Sequence, residues 1–226
     1  MICQAAPLVG WVEALCAETQ RGLRWVSLRS TQPTALLLAL LFAPLAQAFD
    51  LDQLSAQLAE PAVVRGEFIQ EKHLRALPKP LTSTGHFVMA KQHGLLWLLQ
   101  SPLQQDYRIN GAGISRRAAN SWQTLPQQGA SAQQNRLFLA VLQGDSSGLR
   151  DDFDLALSGD ASDWQLKLTP RAVLLKQIFT AITIEGGALV QRIELLETQG
   201  DSTVMHMPGS VAGTALSEAE RHDFVE

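Results

Sequence analysis

The sequence predicts an α+β domain: an antiparallel meander of ten or eleven short strands with two or three short helices. Three observations carry this. Between Val63 and Arg117, five stretches of alternating polarity follow one another with only turn-forming residues between them. From Phe153 to Met207 the alternation returns after a polar interruption. No helix of about 10–15 residues separates consecutive strands, which excludes the crossovers that a parallel sheet needs.

The first 48 of the 226 residues read as a leader. Ala35–Ala46 (ALLLALLFAPLA) is an apolar run too short for a bilayer, which takes about 20 residues. Arg24 and Arg29 precede it, and Ala46-Gln47-Ala48 gives a small-x-small cleavage pattern, so a cut is expected between Ala48 and Phe49. Residues 1–23 do not resemble a signal start. Translation from Val26 or Leu28 would give a signal of about 20 residues. Both cysteines, Cys3 and Cys16, lie in the leader, so the remaining domain, 49–226, offers no disulfide, no thiolate ligand and no lipid-anchoring cysteine. A soluble exported protein is expected. Three of the 18 Lys and Arg and two of the 22 Asp and Glu fall in the leader, leaving a formal charge of −5 spread without a basic stripe. That argues against nucleic acid as a partner.

Phe49–Glu60 opens the domain as a short helix, with Leu51, Leu54 and Leu58 at helical spacing, Asp50 or Asp52 as N-cap, and Pro61 as stop. The first strand, Val63–Lys72, sets Val64, Gly66 and Phe68 on one face and Arg65, Glu67 and Ile69 on the other. The second, Thr82–Lys91, sets Gly85, Phe87 and Met89 against His86, Val88 and Ala90. After the Gln92-His93-Gly94 turn, Leu95, Trp97 and Leu99 share one face and Leu96 and Leu98 the other. Such a strand needs a cover on both sides, or a ligand on one. Gln105–Ile109 and Gly113–Arg117 form a hairpin over Asn110-Gly111. Gln127–Gln134 reads as loop, Arg136–Gln143 as a short helix, and Leu149–Phe153 as one further turn. Strands follow at Phe153–Leu157, Asp163–Leu168, Ile178–Ile184, Leu189–Leu196 and Ser202–Met207. The segment from Pro208 is polar and expected to be loosely held.

No catalytic signature stands out. Gly144-Asp145-Ser146-Ser147-Gly148 matches the G-x-S-x-G pattern of serine hydrolases, but that chemistry needs Ser146 on a strand-to-helix turn of a parallel sheet. A helix stop is the simpler reading. His73, His86 and His93 lack metal-ligand spacing. Asp151, Asp152 and Asp154 lack the glycine and terminal glutamate of a calcium loop. No cofactor and no catalytic or metal-binding residue is expected. The apolar face is more informative. Phe68, Phe87, Met89, Leu95 and Trp97 make either an ordinary core or the wall of an open, curved sheet closed by short helices. Burying an acyl chain of a dozen methylenes there yields about 0.8 kcal/mol for each.

At this point the chain resembles the LolA/LolB-like family of lipoprotein carriers. The resemblance rests on a signal peptide and short helix, R-G-E-F-I-Q at 65–70, G-H-F-V-M-A-K at 85–91, L-L-W at 95–97 and Ser101-Pro102. It continues with Gly186-Gly187, R-I-E-L-L-E at 192–197 and G-D-S-T at 200–203. It implies a strongly curved antiparallel sheet, an unclosed half-barrel of about eleven strands, with a lid of short helices over an apolar cavity. It further implies a non-enzymatic, monomeric periplasmic carrier that takes acyl chains of lipoprotein or another lipid from an inner-membrane transporter to an outer-membrane acceptor. A lipid-sensing regulatory domain of the same fold is the alternative, and a hydrolase using Ser146 a third. Phe68, Phe87, Met89, Leu95 and Trp97 become the lipid-binding wall. Lys91 falls where the lipoprotein carrier has an arginine that hydrogen-bonds the lid. With Gln92 following, the family's arginine-proline pair is absent, which points to a divergent paralogue. Its cargo, lipoprotein, glycolipid or aryl-polyene lipid, stays open.

Overall fold

The computed structural model describes residues 49–119, 121–126, 139, 140, 142, 145 and 147–225. Twelve strands form one antiparallel sheet. In the first half these are β1 (Val63–His73), β2 (Leu81–Ala90), β3 (Gly94–Ser101), β4 (Gln105–Asn110), β5 (Gly113–Ala118) and β6 (Ser121–Thr124). In the second half they are β7 (Phe153–Asp160), β8 (Asp163–Pro170), β9 (Phe179–Gly186), β10 (Val190–Glu197), β11 (Ser202–His206) and β12 (Val211–Gly213). Among the described residues four short helices accompany them, α1 (Leu51–Ala59), α2 (Ser147–Asp152), α3 (Val173–Lys176) and α4 (Glu218–Val225), and Leu139, Ala140 and Leu142 are also helical.

The hydrogen-bonded path runs β6-β5-β4-β3-β2-β1-β11-β10-β9-β8-β7. β1 thus joins two meanders, and β6 and β7 end the path without pairing to each other. Inward residues from both meanders, Phe68 and Leu95 on one side and Trp164, Leu168 and Ile182 on the other, belong to one buried cluster. A flat sheet of this width could not bring them together, so the sheet curls into an unclosed barrel with its core on the concave side.

The helix at 51–59 forms as its sequence dictates. Asp50 is the N-cap: its carboxylate accepts from the Gln53 amide (2.8 Å), and the Gln53 side chain accepts from the Asp50 amide (3.2 Å). Leu54 and Leu58 are its buried residues.

The segment from Pro208 departs from expectation, because it is ordered against the convex face. β12 pairs with Val63–Arg65 of β1. Helix α4 seats Phe224 in a second apolar cluster with Val63, Val88, Ala90 and Leu96. This is the cover that the doubly apolar β3 requires. Ion pairs fasten it. Arg65 grips Glu220 with Nε (2.5 Å) and Nη2 (2.6 Å), and Arg117 reaches Asp223 (2.6 Å). Arg108 donates to the Phe224 carbonyl (3.1 Å) at the helix C-terminus. The hydrogen bond from Arg65 holds the Glu220 carboxyl at about 2, against burial, which pushes it up. Burial, then the charge of Arg117, pushes Arg108 below its usual range.

Candidate functional site

The concave face is built by a reciprocal pattern in β1 and β2. Each strand carries Gly-x-Phe, at 66–68 and 85–87, and the antiparallel register sets Gly66 opposite Phe87 and Phe68 opposite Gly85. Each ring therefore lies over a residue with no side chain. A Cβ at Gly85 would stand 2.1 Å from the Leu98 carbonyl and 2.9 Å from the Phe68 ring. That space lets Phe68 stack on Trp97 of β3 at 3.6 Å between centroids, with Phe87 at 6.2 Å. Met89 and Leu95, paired across β2 and β3, continue the surface. All five residues singled out in the sequence are thus brought to one face and one cluster, none more than 7% exposed.

Helices cover this face. α1 lays Leu54 and Leu58 into it, joined by Leu139, Leu142 and, from α2, Leu149. Two voids of about 20 Å³ each remain beneath: one among Leu58, Phe87, Met89 and Met207, the other among Leu54, Leu58, Leu149 and Trp164. Small-molecule sites run to about 300–1,000 Å³. Each void is thus far smaller than the volume of an acyl chain.

Among the described residues few polar contacts hold α1. Gln57 donates to the carbonyls of Gly187 (2.6 Å) and Ala161 (3.2 Å), on two turns of the second meander. Lys91 donates from Nζ to the Ala59 carbonyl (2.5 Å), at the helix C-terminus, and from its backbone amide to Ala62 (3.1 Å). Asp52 pairs with Arg150 of α2 (2.6 Å). Lys91 therefore contacts the end of α1 through one flexible donor, where a guanidinium would offer a planar fork.

Beside Lys91 a cleft of about 530 Å³ opens. One lip is the β2–β3 turn (Lys91, Gln92, His93, Gly94) with the β4–β5 turn (Asn110, Gly111). Gly94 has φ of 106°, and a Cβ there would meet the Ile109 carbonyl at 2.2 Å, so only glycine brings the two turns this close. The other lip carries Asp145, Leu149 and Asp152, and Phe153 lies at its base. Leu149 and Phe153 belong to the core, so the cleft abuts it. Asn110-Gly111 and Asp152 were legible as turn residues, but nothing in their local pattern says that they face one another.

The remaining candidates disperse. His73 lies beside Glu71 (3.5 Å), His86 is on the convex face of β2, and His93 is tilted against the Phe224 ring at 5.6 Å. Asp154 on β7 pairs with Arg171 (3.5 Å), whereas Asp151 and Asp152 end α2. Ser146, the leader, the loop at 127–134 and most of the helix expected at 136–143 lie outside the described residues.

The family model described as "outer membrane lipoprotein carrier protein LolA-like" matches residues 43–223. The chain belongs to this LolA-like family. Among solved structures, a LolA superfamily protein from Nitrosomonas europaea is similar at 8% identity, with 78% of this chain and 96% of that one covered and a TM-score of 0.46. A DUF1329 family protein from Desulfovibrio piger follows at 12% identity, 75% and 93% coverage and a TM-score of 0.35. LprF from Mycobacterium bovis follows at 9% identity, 74% and 94% coverage and a TM-score of 0.36. All three likenesses are remote. No curated protein matches the sequence. For a LolA-like chain the observed architecture, twelve antiparallel strands left unclosed with short helices over the concave side, agrees with the half-barrel that the sequence predicted, with one strand more.

Proposed function

We propose that this LolA-like protein is a periplasmic carrier that binds the acyl chains of lipoprotein or another lipid inside the half-barrel and moves them towards the outer membrane. The observation that carries the reading is the construction of the concave face. It is continuous, aromatic at its centre, and closed chiefly by apolar helices on a handful of hydrogen bonds. Phe68, Phe87, Met89, Leu95 and Trp97 form the binding wall, and Lys91 steadies the lid. The work is non-enzymatic: transfer of a chain from water to this interior needs no reacting group.

On this reading residues 1–48 are a leader removed on export and 49–226 are the working domain, acting as a monomer. An inner-membrane transporter supplies the cargo and an outer-membrane acceptor receives it. The polar contacts on α1 and the covered interior fit a chain taken up by displacement of the lid.

The test is binding of a fluorescent fatty acid by wild type and by Trp97→Glu, with circular dichroism to follow the sheet. A folded Trp97→Glu protein is expected to lose binding. Because Trp97 is only 7% exposed, Trp97→Ala provides a second variant, expected to weaken binding at least about tenfold through the lost ring. Wild-type affinity in either folded variant overturns the assignment.

A further inference from the structure

We propose that one end of the sheet is a membrane-contact rim, which seats the protein on the surface of a bilayer carrying anionic phospholipid. This goes beyond the carrier reading and can fail while that reading stands.

Three connections stand side by side at this end: the β1–β2 loop (74–80), the β10–β11 turn (198–201) and the β8–β9 connection (171–178). The register aligns them, with His73 opposite Ser202, Ser202 opposite Leu196, and Glu197 opposite Phe179. Hydrogen bonds tie them together. The Arg75 amide donates to the Asp201 carboxylate (2.9 Å). On the other flank, the Thr198 amide and hydroxyl donate to the Ile178 and Gln177 carbonyls (3.0 and 2.8 Å). The β10–β11 turn thus joins the outer two connections into one surface.

A single exposed leucine needs no explanation. Here Val173 and Leu174 are neighbours in α3 and each is 72% exposed, while Leu175 beside them is buried and anchors the segment. On the other flank Leu77 and Leu81 are 45% and 53% exposed. The loop that carries Leu77 is stiff: its amide donates to the Leu74 carbonyl (2.9 Å), and Pro78 and Pro80 restrict the backbone. Four large aliphatic side chains are therefore held in water at one end of the sheet.

The charge around them is basic. The two outer connections hold Arg75, Lys79, Arg171 and Lys176 and no acidic residue, within a domain of formal charge −5. These cations are far apart in the sequence, and the fold gathers them. Acids that border the rim are engaged: Asp201 with the Arg75 amide, Glu197 with Lys72, and Asp154 with Arg171 in an exposed pair (3.5 Å). Aliphatic side chains ringed by cations match the boundary of an anionic bilayer, where the apolar groups enter the acyl layer and the cations meet the head groups. A purely polyanionic partner would leave the aliphatic groups in water, and a neutral bilayer would leave the cations unmatched.

The experiment is co-sedimentation of the protein with vesicles of phosphatidylcholine alone and of equal parts phosphatidylcholine and phosphatidylglycerol. Wild type is expected to bind the mixed vesicles at least about tenfold more tightly, and less well as salt is raised. V173D/L174D is expected to lose binding to both. K79Q/K176Q should weaken binding to the mixed vesicles about 25-fold, about fivefold for each cation, and leave binding to phosphatidylcholine unchanged. Val225→Asp is the control: Val225 is 73% exposed but lies at the end of α4, and its replacement should change nothing. None of these residues belongs to the binding wall, so all the variants are expected to keep their affinity for a fluorescent fatty acid. Wild type that ignores phosphatidylglycerol or binds neither vesicle, or a loss in Val225→Asp equal to that in V173D/L174D, overturns the rim. The fatty-acid measurement then shows whether the carrier reading survives. The wild-type vesicle series decides the matter by itself should a variant fail to fold.

Discussion

Removing the polar contacts of α1 while leaving its leucines in place should loosen that helix without dismantling the sheet. The perturbation is Gln57→Ala combined with Lys91→Met. Gln57 loses its bonds to Gly187 (2.6 Å) and Ala161 (3.2 Å), and the Ala59 carbonyl loses the Lys91 ammonium (2.5 Å). The bond to Gly187 is partly buried and contributes about 1 kcal/mol; the ammonium at an exposed helix C-terminus contributes about 0.5–1 kcal/mol. Asp52–Arg150 is no substitute, since its side chains are 84% and 50% exposed and such pairs contribute little. Together the changes remove about 1.5–2 kcal/mol from the closed state, which raises the opening equilibrium about 10- to 30-fold. Leu54 and Leu58 keep the helix docked most of the time. Native-state hydrogen exchange is the assay: amides of α1 are expected to exchange faster by that factor, while those of β2 and β9 keep their protection. Uptake of a fluorescent fatty acid is expected to accelerate in parallel. Unchanged exchange in α1, or exchange that rises equally in α1, β2 and β9, refutes the view of α1 as a separately moving lid.

Two further outcomes follow from the packing. Gly85→Ala drives a Cβ to 2.1 Å from the Leu98 carbonyl, against rigid backbone, and should cost at least about 3 kcal/mol in urea unfolding; a cost below about 1 kcal/mol contradicts the Gly-x-Phe account. Glu220 has a folded value near 2, depressed from 4.5, so its contribution is full at neutral pH and is lost as pH falls from about 4.5 towards 2. Glu220→Gln should therefore lower stability by about 1–2 kcal/mol at pH 7, after allowance for partial exposure, and by little at pH 2.5; an equal deficit at both pH values is the contrary result.

The half-barrel was legible because strand alternation is written locally. In β2, Phe87 and Met89 alternate with His86 and Val88, and that pattern alone fixes which face is buried. The five wall residues could be named for the same reason. What was not legible depends on pairs far apart in the chain. The segment from Pro208 is polar, with Phe224 as the buried residue of α4, and is held by Arg65–Glu220 across 155 positions. One local signal was present. Ser217-x-x-Glu220 is a capping box, and both its bonds form, Ser217 amide to Glu220 at 2.6 Å and Glu220 amide to Ser217 at 3.2 Å. The cleft escaped notice for a related reason: Lys91 sits in the β2–β3 turn and Asp152 at the end of α2, and only the curl of the sheet brings both to one cleft.

The most direct test of the central claim is native mass spectrometry of the protein isolated from the periplasm, followed by release and identification of what it carries. The carrier account predicts an acyl-bearing molecule bound one to a protein, lost in Trp97→Glu. Protein that emerges free of any acyl-bearing molecule, and that stays empty when incubated with lipid or acylated peptide, contradicts it.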